Sequence, residues 1–144
     1  MQMYDFEEFR LFAVGTVDNS LPFAEKEVKL LADLFPESEI LIREQATKSR
    51  LFEMSDEFNI LHFATHGVLD FQVAENSFLV LASDEESGDD GRLTISDIYR
   101  IRNVENVGLV TLSACETAFN LETMIGWPVN TAIAFLNIGV PSVV

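Results

Sequence analysis

The sequence predicts an α/β fold in which helices cover both faces of a mostly parallel sheet. Three observations indicate this class. Strand-like and helix-like segments alternate along the chain. The strand-like segments are almost continuously apolar, as expected of strands buried on both faces. The 144 residues, of which 48% are hydrophobic, suffice for one domain with a substantial core. We therefore expect a three-layer α/β/α sandwich that forms a single domain over residues 1–144, with residues 1–9 as an N-terminal flank.

The first half of the chain predicts three strands with a helix after each of the first two. In the first helix, apolar residues recur three and four positions apart, which is the period of a helix with one buried face. Pro22 suits its first turn and Pro36 prevents its continuation. The predicted elements are a strand at 11–17, a helix at 23–35, a strand at 40–42, a helix capped by Thr47 that runs through Met54, and a strand at 60–65.

The second half predicts a short hairpin arm beside the main sheet and then a further strand–helix–strand unit. Its predicted elements are the arm at 78–82, a short helix capped by Thr94, a strand at 107–113, a helix over about 129–137 ended by Gly139, and a strand that begins within 141–144. Because this last strand begins where the sequence stops, we expect a C-terminally truncated domain with an open sheet edge. Such an edge is suited to pairing with a second copy of the chain as a homodimer.

Composition excludes several classes of partner. The net charge of −15 repels phosphate backbones and anionic lipid, so we expect neither nucleic acid nor membrane as a partner. No apolar run approaches the roughly 20 residues that span a bilayer, and the N-terminus lacks the pattern of a signal peptide. One cysteine cannot form an internal disulfide. These features predict a cytoplasmic protein. Residues 84–91 are acidic, but their spacing differs from a calcium loop and predicts a solvated turn.

Two apolar runs end in a reactive side chain. Cys115 lies in the run at 109–117 and His66 in the run at 60–67. If the two strands are neighbours in a parallel sheet, both side chains emerge at the same edge, where the reactive residues of such sheets lie. A cysteine nucleophile needs a base that removes its proton. Cys115 is therefore the candidate nucleophile and His66 the candidate base of an acyl-transfer site.

Such a site also needs hydrogen-bond donors for an oxyanion. Gly67 follows the histidine directly and carries no side chain that would block its backbone N–H. The N–H of Cys115 is the natural second donor. Asp70 is the acidic residue that could orient His66 from nearby in the sequence.

Less specific interpretations remain open for these residues. A lone cysteine is commonly a small buried hydrophobe. His62 has the same strand parity as His66 but lies within the strand, so we expect a hydrogen-bonded core histidine. The two histidines lack a third ligand for a metal, and we expect neither a metal nor another cofactor.

The two motifs resemble a known family. The segments His62-Phe63-Ala64-Thr65-His66-Gly67 and Leu112-Ser113-Ala114-Cys115-Glu116-Thr117-Ala118 closely resemble the CHAT family. These are caspase-like domains associated with tetratricopeptide repeats, in the clan of caspases, gingipains and separases. Residues 21–28 are similar to the family's first helix, and residues 134–144 to the helix and strand after the cysteine. The spacing of 49 residues (115 − 66) is also similar to the caspase pattern.

The resemblance implies a caspase-like sandwich with cysteine endopeptidase activity on a polypeptide substrate. His66 and Cys115 would form the catalytic dyad, with Gly67 at the oxyanion hole. It also implies an upstream repeat domain or regulatory partner in a larger protein. Because the family continues with further elements, we expect the 144-residue chain alone to be weakly active or inactive. The competing interpretations are a non-catalytic caspase-like interaction module and a small-molecule thiol hydrolase.

Substrate preference can also be predicted. In caspase-like folds the loop after the first strand can line the pocket for the residue before the cut. Here that loop contains Asp18, and Glu116 follows the candidate nucleophile. Because both side chains are acidic, we expect a basic residue at that substrate position.

Overall fold

The computed structural model describes residues 8–68, 70, 72–113 and 131–144. The secondary structure elements are β1 (Arg10–Val14), α1 (Pro22–Leu34), β2 (Glu37–Leu41), α2 (Lys48–Phe52), β3 (Ile60–Phe63), β4 (Gly67–Val68), β5 (Phe78–Val80), β6 (Arg92–Thr94), α3 (Ile95–Ile98), β7 (Leu109–Leu112), α4 (131–137) and β8 (Ser142–Val143). Within these ranges, no helix has both the length and the apolar character needed to cross a bilayer.

The main sheet has five strands in the order β2-β1-β3-β7-β8, and every neighbouring pair is parallel. Helix α1 packs on one face, while α2, α3 and α4 contribute to the core on the other face. The predicted α/β class, with a mostly parallel sheet between helical layers, is confirmed. Strands β2 and β8 form the edges of this sheet as described. Pairing of an edge with a second copy stays a prediction.

The first helix packs as its sequence period predicts. Pro22 lies in its first turn, where its missing N–H costs no hydrogen bond. Ala24 and Val28 are buried against Leu11 and Ala13 of β1. The helix ends at Leu34, before the proline at position 36, because a proline cannot continue the hydrogen-bond ladder. This packing fixes the position of α1 across the middle of the sheet.

The opposite face of the sheet is built from larger side chains. The rings of Phe63 in β3 and Phe135 in α4 lie 5.7 Å apart between centroids. The rings of Phe12 in β1 and Phe58 meet edge to face at 5.2 Å. All four side chains are buried. Large aromatic groups of this kind each bury much apolar area, so they stabilise β1 and β3 from the face opposite α1.

A second sheet of three short strands follows β3 in the sequence. The sequence predicted a short hairpin arm at 78–82, and the structure has three antiparallel strands in the order β4-β5-β6, of which β5 lies in that range. Strands β4 and β6 have two and three residues. They were missed because an alternating pattern cannot be recognised over so short a run. Strand β4 begins immediately after His66, which connects this sheet to the candidate site.

The acidic turn at 84–91 is less solvated than its composition predicts. The carboxylate of Asp89 is almost fully buried and lies 3.5 Å from Nζ of Lys48. Its Oδ2 also accepts the backbone N–H of Lys48 at 3.0 Å. Burial would lower the pKa of Lys48, but the hydrogen bond to Asp90 and the charges of Asp97, Asp89 and Asp90 raise it. The turn therefore anchors the start of α2.

Gly91 offers a sharp test of this packing. Its φ is +72°, and a Cβ there would lie 2.5 Å from the carbonyl oxygen of Leu81. We expect Gly91→Ala to lower the free energy of unfolding by about 3 kcal/mol or more, since backbone strain and displacement of Leu81 add together. Gly88 is the matched control, because its φ is also +72° but a Cβ would meet no atom. Gly88→Ala should cost only about 1–2 kcal/mol. Equal losses in urea unfolding would contradict the steric argument.

Candidate active site

The carboxyl ends of three neighbouring strands meet at one edge of the main sheet. In the parallel register, Val14 of β1 pairs with Phe63 of β3, and Phe63 pairs with Leu112 of β7. His66 therefore comes three residues after the end of β3, and Cys115 three residues after the end of β7 (66 − 63 and 115 − 112). The predicted placement of both segments at one edge agrees with this register.

Two of the predicted site residues cannot be placed in this way. Cys115 and Glu116 lie outside the described residues. The last described residue before them is Ser113, whose N–H donates to the carbonyl of Phe63 at 2.8 Å. The chain thus leaves β7 still bonded to β3, and the roles of Cys115 and Glu116 stay predictions.

The imidazole of His66 is held by a serine that the sequence analysis missed. Oγ of Ser20 lies 2.7 Å from Nε2 of His66. The same hydroxyl contacts Oδ1 of Asp18, which also accepts the N–H of Ser20 at 2.8 Å. Asp18 and Ser20 lie in the loop after β1. Aspartate two residues before serine is a common turn pattern, and this was the signal available in the sequence.

The direction of these hydrogen bonds follows from the chemistry of the groups. A carboxylate only accepts, so the hydroxyl of Ser20 donates to Asp18 and its oxygen accepts from Nε2–H of His66. In the neutral imidazole the proton is then on Nε2, and Nδ1 is free to accept one. Among the described residues, nothing else bonds to the ring of His66. The arrangement prepares Nδ1 to act as a base.

The charge of Asp18 supports this assignment. Its hydrogen bonds from the side chain and the backbone of Ser20, together with the nearby His66, lower the pKa of Asp18. The carboxylate is exposed and stays ionised at neutral pH. Its second oxygen, Oδ2, accepts no hydrogen bond from the part of the chain described here.

The loop that contains Asp18 and Ser20 is bonded to the segment that follows β2. The guanidinium of Arg43 donates to Oδ1 of Asn19 at 3.1 Å and pairs with Glu25 at 2.9 Å. The backbone N–H of Arg43 also donates to the carbonyl of Thr16 at 2.9 Å. These contacts fix the loop on both sides of Ser20.

The backbone of Gly67 is oriented by the second sheet. Val80 donates its N–H to the carbonyl of His66 at 2.8 Å, so His66 and Val80 form a hydrogen-bonded pair. In an antiparallel ladder, bonded and non-bonded pairs alternate. The next pair, Gly67 with Leu79, is therefore of the non-bonded kind, and the N–H of Gly67 points away from β5. Strand β5 therefore does not use this donor, and no acceptor for it is found among the described residues.

Asp70 has a different role from the one considered in the sequence analysis. Its Oδ1 accepts the backbone N–H groups of Val73 and Gln72, both at 2.8 Å. These backbone hydrogen bonds, that of Val73 first, lower the pKa of Asp70. Asp70 therefore caps a surface turn, and Ser20 is the side chain that contacts His66.

His62 is a hydrogen-bonded core histidine, as predicted. Its Nδ1 bonds to Oγ1 of Thr111 on the neighbouring strand β7, and 7% of the residue is exposed. Oε1 of Glu27 lies 2.8 Å from Nε2, a charge-pairing distance at an angle unsuited to a hydrogen bond. Burial lowers the pKa of His62, and Glu27 only partly opposes this shift. Within the described ranges, no three potential ligands are grouped so that they could hold a metal.

Glu27 is a second side chain in this region that the sequence analysis did not identify. It lies on α1 beside the buried Val28, and only 38% of its side chain is exposed. Its Oε2 accepts a hydrogen bond from Oγ of Ser113 at 3.1 Å. A glutamate is long enough to reach from the flank of a helix to the sheet below, which periodicity alone does not show.

The shifted pKa of His62 predicts a pH dependence of stability. Burial lowers the pKa below its ordinary value of 6.5, so the unfolded chain binds this proton more readily than the folded one. The contribution is complete above about pH 6.5 and is lost as the pH falls toward the folded pKa. We expect the free energy of unfolding to decrease between about pH 7.5 and about pH 5.5, with a smaller slope in His62→Gln. Parallel slopes in urea unfolding would contradict this.

Comparison with known proteins agrees with the motifs. The model of the CHAT domain matches residues 6–144, which is nearly the whole chain. A search of curated proteins found no match. The matched range includes the histidine motif, the cysteine motif and the five-stranded sheet, and the family is one of caspase-like cysteine peptidases. The resemblance seen in the sequence is therefore confirmed, and the chain belongs to the CHAT domain family.

Proposed function

We propose that this domain is a cysteine endopeptidase that uses His66 and Cys115 as a catalytic dyad. The observation that carries the proposal is the contact of 2.7 Å between Ser20 and Nε2 of His66, backed by Asp18. This contact leaves Nδ1 as the free base at the edge of the sheet where the chain leads to Cys115. A buried structural histidine would have no need of such an exposed hydrogen-bonded support.

The chemistry of each step follows from these groups. Nδ1 of His66 takes the proton of the Cys115 thiol, and the thiolate attacks the peptide carbonyl to form a tetrahedral intermediate. The N–H groups of Gly67 and Cys115 stabilise its oxyanion. His66 then returns the proton to the leaving amine, which gives an acyl-enzyme. Water, deprotonated by His66, hydrolyses the thioester and regenerates the thiol.

The pair of Asp18 and Ser20 supports the positive state of His66. When Nδ1 takes the thiol proton, the ring becomes an imidazolium that donates from Nε2 to Ser20. The carboxylate of Asp18, one hydroxyl away, stabilises that charge through the polarised hydrogen bond. We infer that the two residues act as an orienting unit whose loss weakens the base without removing it.

The proposed substrate is a polypeptide with a basic residue before the cut. The free oxygen of Asp18 offers an acceptor for a lysine or arginine side chain, and Glu116 adds a second carboxylate by its place in the sequence. In a larger protein, an upstream repeat domain or a regulatory partner would control access to this site. The alternative function is a non-catalytic caspase-like module that binds a partner without cleaving it.

The dyad can be tested with a thiol-reactive peptidyl probe. We expect Cys115→Ala to abolish labelling, and His66→Ala to reduce it by about 10²–10⁴-fold because the base is lost. Ser20→Ala should reduce it by about tenfold, since the base remains but its orientation does not. Asp70→Asn is the control, because Asp70 caps a turn and does not contact His66. Binding of a partner by a chain that no probe labels would favour the non-catalytic alternative.

Substrate preference gives an independent test. In a peptide library, we expect cleavage after lysine or arginine, with the preference reduced by about tenfold or more in Glu116→Gln and in Asp18→Asn. Glu116→Gln is the cleaner variant, because Asp18 also supports Ser20. Preferential cleavage after acidic or apolar residues would reject the proposed specificity while leaving the dyad intact.

A further inference from the structure

Four polar side chains on the α1 face of the sheet form a ring of contacts that is closed by the backbone between Thr111 and Ser113. Oε1 of Glu27 lies 2.8 Å from Nε2 of His62, and Nδ1 of His62 bonds to Oγ1 of Thr111. Two residues further along the chain, Oγ of Ser113 donates to Oε2 of Glu27 at 3.1 Å. The ring therefore connects α1, β3 and the end of β7.

Glu27 contacts two of the other three members directly. Its carboxylate only accepts, so Ser113 donates to it and the proton of the neutral His62 lies on Nε2, facing it. Nδ1 of His62 must then accept from the hydroxyl of Thr111. Among the described residues, Glu27 is the charged group that faces His62. Glu25 of the same helix pairs instead with Lys29 and Arg43.

The ring lies on the two strands that precede the candidate catalytic residues in the sequence. His62 and Thr111 are paired in the register of β3 and β7. His66 follows His62 by four residues, and Cys115 follows Thr111 by four (66 − 62 and 115 − 111). Ser113 comes only two residues before Cys115. Ser113 is also the last described residue before the candidate nucleophile.

Stability alone gives a weak reason for such a ring. A polar cluster under a helix must compensate for the lost hydration of its members, and well-packed apolar side chains would often be as stable. What the ring adds is a defined position. The sheet bond from Ser113 to Phe63 holds the backbone of Ser113 against β3, and the bond to Glu27 holds its side chain against α1.

We propose that Glu27 is a positioning residue that acts through Ser113 to hold the segment entering Cys115 in line with His66. The proposal rests on the proposed dyad and names a residue of α1 that supports it. Glu27 is not expected to touch the reacting atoms. Its loss should therefore change the reactivity of the thiol more than the stability of the fold.

The single cysteine makes the experiment direct. Iodoacetamide modifies Cys115 alone among the cysteines of this chain, and intact mass gives the rate. A thiol paired with His66 reacts at about pH 6, where an ordinary thiol with a pKa of about 8.5 is almost entirely protonated. We expect Glu27→Ala to lower the rate at about pH 6 by about tenfold or more and to leave the rate at about pH 9 nearly unchanged. Glu27→Gln, which keeps an acceptor oxygen, should restore much of the rate.

Two further variants separate positioning from general damage. Asp33→Ala is the matched control on the same helix, because Asp33 is an exposed acidic residue that forms no ion pair with any described residue, and we expect the wild-type rate. Ser113→Ala removes only the link to Glu27 and should slow the reaction as Glu27→Ala does. The double variant should be no slower than either single variant if Glu27 acts through Ser113. Thermal unfolding of each variant shows whether the fold is retained. Should Glu27→Ala fail to fold, Ser113→Ala alone carries the test.

The outcomes distinguish the two proposals. A wild-type thiol with ordinary reactivity at about pH 6 overturns the dyad, and the positioning role falls with it. A reactive wild-type thiol that is equally reactive in folded Glu27→Ala and Ser113→Ala overturns the positioning role only. Multiplied losses in the double variant overturn the route through Ser113.

Discussion

The parallel pairing of β3 with β7 is the constraint on which the site depends. It aligns His62 with Thr111 and Phe63 with Leu112, so the segments that follow the two strands start from the same level. His62 and Thr111, 49 positions apart in the sequence, are brought together in this way. A slip of one residue would turn every side chain of β7 to the other face and separate the two segments. The register is held by backbone hydrogen bonds and by buried apolar side chains on the face opposite α1.

The two faces of the sheet divide the work of packing and positioning. The face opposite α1 is filled by large apolar groups such as Phe12, Phe63 and Phe135, which bury apolar area but form few directional contacts. The face under α1 has smaller apolar side chains and admits the polar contacts of Glu27 with His62 and Ser113. Hydrogen bonds are directional, whereas apolar contacts are not. Apolar packing on the face opposite α1 therefore mainly stabilises the fold, whereas the polar contacts under α1 mainly fix the orientation of side chains.

Much of the fold could be predicted from the sequence, because long elements have a period. The main strands and α1 follow from apolar runs and helical spacing, and Thr47 and Thr94 cap their helices through the predicted side-chain bonds. Strand ends were less well predicted: β1 stops at Val14, although the apolar run continues to Val17. Strands β4 and β6 are too short for any pattern to indicate them. Their existence depends on pairing partners that lie elsewhere in the chain.

The candidate site divides in the same way. His66, Gly67 and Cys115 could be proposed because each occupies a recognisable place at a strand end. Ser20 and Glu27 could not, because their roles arise only when a loop and a helix are brought over the sheet. From the sequence alone, a serine in a turn and a glutamate on a helix cannot be distinguished from ordinary polar surface residues. A contact between residues that are far apart in the sequence leaves no local periodic pattern from which it could be predicted.

The left-handed backbone of Arg43 has a consequence for how the loop around Ser20 behaves before any substrate arrives. Arg43 has a φ of +54°, which is costly for a residue with a side chain. That conformation allows its N–H and its guanidinium to reach Thr16 and Asn19 together. Part of the conformational entropy of the loop is thus lost during folding and does not have to be lost on binding. The backbone strain at Arg43 thus accompanies the contacts that order the loop before a ligand binds.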